Sequence, residues 1–385
     1  MVIHKNSLMQ VLILGFLLIC VFFPGDPYKI KIIFFILVLI GGLGILYSAI
    51  HRAKYSYIFI MGILFPICSM IFSTVMGENI SASFFGVYPA TLILVVPIIN
   101  EKRIAYENLL MFFLKWMAIF TIVIVLLDIL GVINVNGNNF LRNAFYTYDM
   151  GLMGKSYVYA AYYKIFFKTS PLLLIFIPFC FENNRQILAI IAYIALVLSG
   201  TRANIFVASI VFVFGFVNLW SENKENKLLR LLTGILICCL IMLSIPTIVN
   251  IIHKLMNTVG SINSDSVRLG QLASFMDLFS NPQKLLFGEG FGTKFFDIGR
   301  MEYTTSSEIA YLDLIRKIGL ILFVPFMIFV LKPFKFKIPI HDKLAYAGYL
   351  VVCFTNPLLF SSTAYVLYIL LYSKYYKRKY SVSLR

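Results

Sequence analysis

The chain has 385 residues, 60% of them hydrophobic and only 13% charged, against roughly 25% charged in an ordinary soluble domain. Long apolar stretches recur from residue 8 to residue 373, more than one soluble core can hide, and the alternating ten-residue segments of an outer-membrane barrel are absent. The net charge of +16 sits mostly in loops between apolar runs, so it points first to topology and lipid headgroups, then to an anionic substrate, and away from nucleic acid.

The expected class is an all-α polytopic membrane protein, one integral domain over residues 1–385. Spans are expected at 8–23, 30–50, 58–76, 84–99, 109–130, 169–181, 187–200, 203–220, 230–251, 309–331, 343–355 and 358–373. That makes about twelve transmembrane helices, several of them shorter than the ~20 residues a bilayer core needs. The short ones are expected to be re-entrant, tilted or extended by interfacial aromatics. Phe23-Pro24-Gly25-Asp26 follows the first run, with no small-x-small cleavage site, so that run reads as a retained span.

Lysine and arginine set the orientation. Arg52/Lys54, Lys102/Arg103, Arg185, Lys224/Lys227/Arg230, Lys332/Lys335/Lys337/Lys343 and the C-terminal basic tail fall on alternate loops with the N-terminus. Both termini are therefore expected to be cytoplasmic. The two long hydrophilic segments, 131–168 and 252–308, then share the outer face, and any chemistry faces away from cytoplasmic ATP. No P-loop pattern exists in the chain.

The segment 140–168 is dense in aromatics, among them Phe145, Tyr146, Tyr157, Tyr163 and Phe167, with Lys155, Lys164 and Lys168. It suggests a helix lying at the membrane interface; tyrosines there could also stack on sugar faces. Arg142 lies in this segment.

Ser199-Gly200-Thr201-Arg202 is a polar knot between two apolar runs, which argues for two helices rather than one. Arg202 sits where one span ends and the next begins. An arginine there is either a headgroup anchor or a ligand for a lipid-linked phosphate, whose oxygens suit the forked guanidinium.

In the second long outer segment, apolar residues at 269, 272, 275, 276 and 279 have helical spacing. Arg268 is expected in the first turn of this amphipathic helix, and Pro282 helps end it. Leu286-Phe-Gly288-Glu-Gly290-Phe-Gly292 follows. It follows no strand, so the dinucleotide fingerprint is rejected, and a sharp loop folding back over the membrane surface is favoured over a phosphate cradle. Thr305 to Glu308 fits a capping box for the next helix. Glu308 is alternatively a general base, a carboxylate at the outer mouth of a helix near the arginines Arg142, Arg202, Arg268 and Arg300. Asp313, Arg316 and Lys317 share a helix face and read as a mutually satisfied structural set.

The six cysteines, Cys20, Cys68, Cys180, Cys238, Cys239 and Cys353, all lie in apolar runs and read as small buried hydrophobes. The four histidines are scattered and no Asp-x-Asp occurs, so the sequence implies no metal and no other cofactor.

Three motifs stand in order: Ser-Gly-Thr-Arg-Ala-Asn (199–204), Leu-Leu-Phe-Gly-Glu-Gly-Phe-Gly (285–292) and Ser-Glu-Ile-Ala-Tyr-Leu-x-Leu-Ile-x-x-x-Gly-Leu (307–320). In this order the chain resembles the O-antigen polymerase (Wzy) and O-antigen ligase superfamily of bacterial polysaccharide enzymes. The motifs cover about residues 190–325. The resemblance implies a glycosyltransferase of the C type, metal-independent, working on the outer face of the plasma membrane. It implies that a glycan on undecaprenyl pyrophosphate is the donor and the hydroxyl of another lipid-linked repeat unit, in O-antigen or capsule synthesis, is the acceptor. Membrane lipids and a chain-length regulator are the further partners it implies. The ligase branch carries a His-Asn pair where this chain has Ser307-Glu308. That departure favours a polymerase, with Glu308 as candidate base and Arg142, Arg202 and Arg268 as candidate pyrophosphate ligands. The alternatives are a ligase, a lipid-linked oligosaccharide flippase and an anion channel. The long loop 252–308 weighs against a flippase, and the position of most arginines outside the spans weighs against a channel.

Overall fold

The computed structural model describes residues 5–26, 28–77, 79–156, 162–222 and 264–381. The expected span 230–251 and the first part of the 252–308 loop lie outside these residues.

The described chain is mostly helical. It begins with α1 (Lys5–Phe22), α2 (Ile30–Gly41) and α3 (Leu43–Ile50). Next, α4 (Ser56–Phe59) runs through a π-helical turn at Ile60–Leu64 into α5 (Phe65–Val75). α6 (Ile80–Thr91), α7 (Val95–Glu101) and α8 (Tyr106–Ile129) follow. Among the described residues, four helical stretches are long and apolar enough to cross a membrane: Ala53–Val75, Ile80–Glu101, Tyr106–Ile129 and Ala310–Lys335. A fifth is the pair α2 and α3, bent by 68°. The described residues thus have the make-up of a membrane-embedded helical protein.

The 131–168 segment differs from the interfacial helix its aromatics suggest. Among its described residues only Phe140–Thr147 is helical (α9), capped by the Asn139 side chain, which accepts from Arg142 N–H. Gly151–Ser156 (β1) and Tyr162–Phe167 (β2) then pair antiparallel. Aromatic and β-branched residues favour a pleated strand as readily as an interface, and Met153, Ile165 and Phe167 bury one side of this hairpin. These short strands are added to an otherwise mostly helical chain.

α10 (Leu173–Glu182) leads to α11 (Gln186–Leu198) and α12 (Arg202–Glu222). The polar knot does separate these two helices, with Gly200 at φ 66°. After the undescribed stretch come α13 (Ser264–Phe279), α14 (Pro282–Phe287), β3 (Phe295–Asp297) and β4 (Glu302–Thr304). β3 and β4 form a second antiparallel hairpin. Pro282 does more than end a helix: with Asn281 as cap it begins α14.

α15 (Ala310–Leu331), α16 (Ile340–Val352) and α17 (Ser362–Ser381) complete the chain. Their interface is rich in buried tyrosines, and the hydroxyls of Tyr346 and Tyr372 donate to α15 carbonyls, those of Val330 and Phe329. Phe329 has Pro333 four residues on, which has no N–H to give. The Tyr372 hydroxyl donates to that Phe329 carbonyl at 2.9 Å, and the two rings stack at 4.8 Å. In an apolar interior each such group needs a partner.

Candidate functional site

Glu308 lies just before α15 and is held between two arginines. Its Oε1 accepts from Arg300 Nη2 at 2.9 Å, and its Oε2 lies 3.4 Å from Arg268 Nε. All three side chains keep 32–40% of their surface exposed. Arg300 also approaches Glu302 at 3.9 Å and the buried Asp297 at 4.0 Å. The cluster therefore sets two guanidiniums among three carboxylates, with Arg300 shared between all three.

Two glycines make this meeting possible. Arg268 and Arg300 come from elements about thirty residues apart in sequence, α13 and the β3–β4 turn. Gly270 and Gly299 stand beside them, and a Cβ on Gly270 would come within 2.4 Å of the Gly299 Cα. The two backbones touch, which leaves the neighbouring long side chains pointing to common ground.

The expected capping box at Thr305–Glu308 does not form. α15 starts two residues later, and Ile309 at its N-cap makes no side-chain cap bond. Ser307 Oγ instead donates to Gln271 Oε1 at 2.9 Å and accepts from Ile309 N–H at 3.2 Å. Glu308 is thereby left to the arginines. Arg268 is also not in the first turn of its helix, which begins at Ser264.

Beneath the exposed cluster lies a buried one. Arg316, fully buried, donates to Asp313 Oδ1 through Nε at 3.0 Å and Nη2 at 2.8 Å. It also donates to the carbonyls of Thr293 at 3.1 Å and Thr305 at 2.9 Å. Lys317 pairs with Asp313 Oδ2 at 2.6 Å. The set is mutually paired, as its spacing along the helix predicts. Its unanticipated part is that Arg316 fastens the loop on both sides of the β3–β4 hairpin, three residues from Glu308. Sequence spacing along one helix shows the Asp313 contact and cannot show those carbonyls.

The glycine-rich loop docks on a break in α15. Gly319 has φ 68°, ψ 166° inside the helix, and the carbonyls of Arg316 and Lys317 accept from Glu289 N–H at 2.7 Å and Gly290 N–H at 3.0 Å. Those two N–H groups are consumed by the helix rather than presented to a phosphate. This agrees with a fold-back loop.

The other arginines lie elsewhere. Arg142 donates to the Asn136 carbonyl of its own loop and lies 5.7 Å over the Tyr146 ring. Arg202 opens α12 and is exposed. Neither is an ion-pair partner of Glu308 among the described residues. The structure joins Arg268 to Glu308, adds Arg300, and does not bring Arg142 or Arg202 to them. Gln271 and Asp297, which lie below the cluster, carry no motif that sequence alone would mark, and the 307–320 motif that contains Ser307 does not point to its bond with Gln271.

Glu182, His341 and Asp342 bring three ligand-type atoms within 4.8 Å of one another, which sequence spacing does not show. His341 Nε2 lies 2.7 Å from Glu182, and Lys374 Nζ lies 3.0 Å from Asp342 and 2.7 Å from Glu107. His341 thus joins α10 to α16 through Glu182, and Lys374 joins α17 to α16 and α8 through Asp342 and Glu107.

Comparison with family models, curated proteins and solved structures finds no match for this chain.

Proposed function

We propose that the chain is a polysaccharide polymerase, a membrane glycosyltransferase that moves a growing glycan from a lipid pyrophosphate to the hydroxyl of another lipid-linked repeat unit. The fold proposed for it is the C type with about twelve spans, both termini cytoplasmic and the working face outside the plasma membrane. The observation that carries the reading is Glu308, a carboxylate held between Arg268 and Arg300 just before a long apolar helix.

The chemistry needs two things. The acceptor hydroxyl oxygen forms a bond to the anomeric carbon of the donor while the bond from that carbon to the pyrophosphate oxygen breaks. Glu308 takes the hydroxyl proton. The lipid pyrophosphate leaves with the bonding pair, and cationic donors stabilise the charge that develops on it. Arg268 and Arg300 are spoken for by Glu308 in this structure. A pyrophosphate competing for them would draw the guanidiniums off the carboxylate and leave it to the acceptor. Donor binding and base release are in this way one event. Arg202 and Arg142 remain candidates for holding the donor from other sides.

The test is polymer formation by purified protein from a lipid-linked repeat unit. Glu308→Gln keeps the size and the hydrogen bond from Arg300 but cannot take the proton. Transfer should fall roughly 10²–10⁴-fold with donor binding retained. Full activity of the Gln variant would remove Glu308 from the mechanism, and a wild-type protein that makes no polymer would remove the reading itself.

A further inference from the structure

Below the exposed cluster runs a buried chain of polar side chains. Gln271 Nε2 donates to Asp297 Oδ2 at 2.8 Å. Ser307 Oγ donates to Gln271 Oε1 at 2.9 Å. Gln271 and Asp297 have no exposed surface, and Ser307 has 3%. Each member stands next to one of the three exposed charges. Gln271 is one turn beyond Arg268 on α13. Asp297 Oδ1 accepts from the backbone N–H of Arg300 at 3.2 Å. Ser307 directly precedes Glu308. A second link, Ser274 Oγ accepting from Ile298 N–H at 2.9 Å, ties the same helix to the same hairpin.

We infer that Gln271 is a positioning residue that fixes Arg268, Arg300 and Glu308 relative to one another. The inference rests on the polymerase reading for its functional consequence. The direction of the chain explains the residue type. A carboxylate can only accept, so it must face the amide NH₂; the serine hydroxyl then meets the amide oxygen. A side chain that donates at one end and accepts at the other is required, and its loss takes one hydrogen bond from each of two buried groups, Asp297 Oδ2 and the Ser307 hydroxyl proton. Deprotonated glutamate fails, because it sets a second acceptor against Asp297. Protonated glutamate restores both bonds, since its O–H donates to Asp297 and its carbonyl accepts from Ser307.

The experiment uses full-length wild type, Gln271→Met, Gln271→Glu and the milder Ser307→Ala in lipid nanodiscs. Two quantities are read from about pH 8 to about pH 5.5: kcat for polymer formation per folded molecule, and hydrogen–deuterium exchange over residues 295–309. Gln271→Met should lose roughly 10- to 100-fold in kcat, as misplaced groups do, by a factor that does not change with pH. Gln271→Glu should be equally impaired at high pH and recover towards wild type on acidification. Exchange over 295–309 should rise and fall in step, and Ser307→Ala should show a smaller rise. Wild-type kcat per folded molecule in both Gln271 variants would overturn the positioning role. Should Gln271→Met not fold, the pH response of Gln271→Glu and the exchange of Ser307→Ala decide. If wild type makes no polymer, the function fails separately: a pH-reversible exchange defect then upholds the relay, and wild-type exchange in every variant removes it.

Discussion

Gly270 of α13 and Gly299 of the β3–β4 turn meet backbone to backbone. A Cβ on Gly299 would stand 2.0 Å from the Val267 carbonyl oxygen, a distance no methyl tolerates. The contact brings Arg268 and Arg300 to the same carboxylate. Gly299→Ala should therefore push the hairpin off the helix and open the Arg268–Glu308 pair while leaving the membrane helices intact. A crosslinker or exchange measurement over 264–304 should report the loosening. An Ala variant with wild-type exchange there would show that the turn yields without cost.

Gly319 should tolerate alanine less well still. Its φ and ψ lie in a region essentially reserved for glycine, worth about 1–3 kcal/mol of strain for another residue. A Cβ there would also come 2.2 Å from the Leu286 carbonyl oxygen. Gly319→Ala should unfold at a lower temperature and accumulate poorly in membranes. The second consequence is specific: the loop around Glu289 should detach from α15, seen as new protease sensitivity near residues 286–292.

Arg316→Met removes one partner of a buried pair and leaves Asp313 facing the interior with Lys317 alone. Truncating one side of such a pair costs about 3–5 kcal/mol, so the variant should fail to fold or unfold well below wild type. Arg316→Lys should recover only part of this, because an ammonium cannot reach Asp313 and the Thr293 and Thr305 carbonyls together. Equal thermal stability of the Lys variant and wild type would mean that the forked geometry is dispensable.

How much of this was open to sequence follows from what each feature depends on. The apolar runs, the break at Ser199–Thr201 and the Asp313–Arg316–Lys317 set depend on neighbours three or four residues apart, and spacing shows them. The aromatics of 140–168 suit an interfacial helix and the paired strands β1 and β2 alike, and no local pattern decides between them. The place of Glu308 before a helix suggests a capping residue or a base. Its actual partners come from α13 and from a turn between strands, which no local pattern connects. Gln271 looks like any polar residue on an amphipathic helix until Asp297 and Ser307 are found on either side of it.

His341 supplies a prediction in pH. Its hydrogen bond to Glu182 raises the imidazole above its ordinary value, with burial opposing. The folded state thus binds the proton more tightly than the unfolded one. The stabilisation is fully present below the unfolded value near 6.5 and is lost as pH rises through the higher folded value. His341→Gln should lower the unfolding temperature near pH 6 and lose its effect once pH has risen past the folded value. A difference from wild type that stays constant between the two would place the effect in packing rather than in the proton.

The arginines provide the sharpest comparison, because the two roles available to them predict different patterns. If Arg268 and Arg300 only hold Glu308 in place, Lys at either position keeps an ion pair of similar charge and should leave transfer nearly unchanged. If they also take pyrophosphate oxygens, the fork matters. Each charge-assisted hydrogen bond lost is then worth roughly 1.5–3 kcal/mol, and Lys should rescue only partly. Ala at each position, Lys at each, and the Ala pair should be measured for donor binding and for polymer made, with membrane insertion checked by protein level. The pyrophosphate role predicts that both donor affinity and transfer fall in the Ala variants, with the pair worse than either alone. Arg202→Ala and Arg142→Ala belong in the same series, because neither pairs with Glu308 among the described residues. A loss of donor binding on changing Arg202, with Glu308 undisturbed, would mark a phosphate contact outside the cluster. Wild-type chain lengths in every one of these variants would leave the arginines as anchors of the fold and the interface.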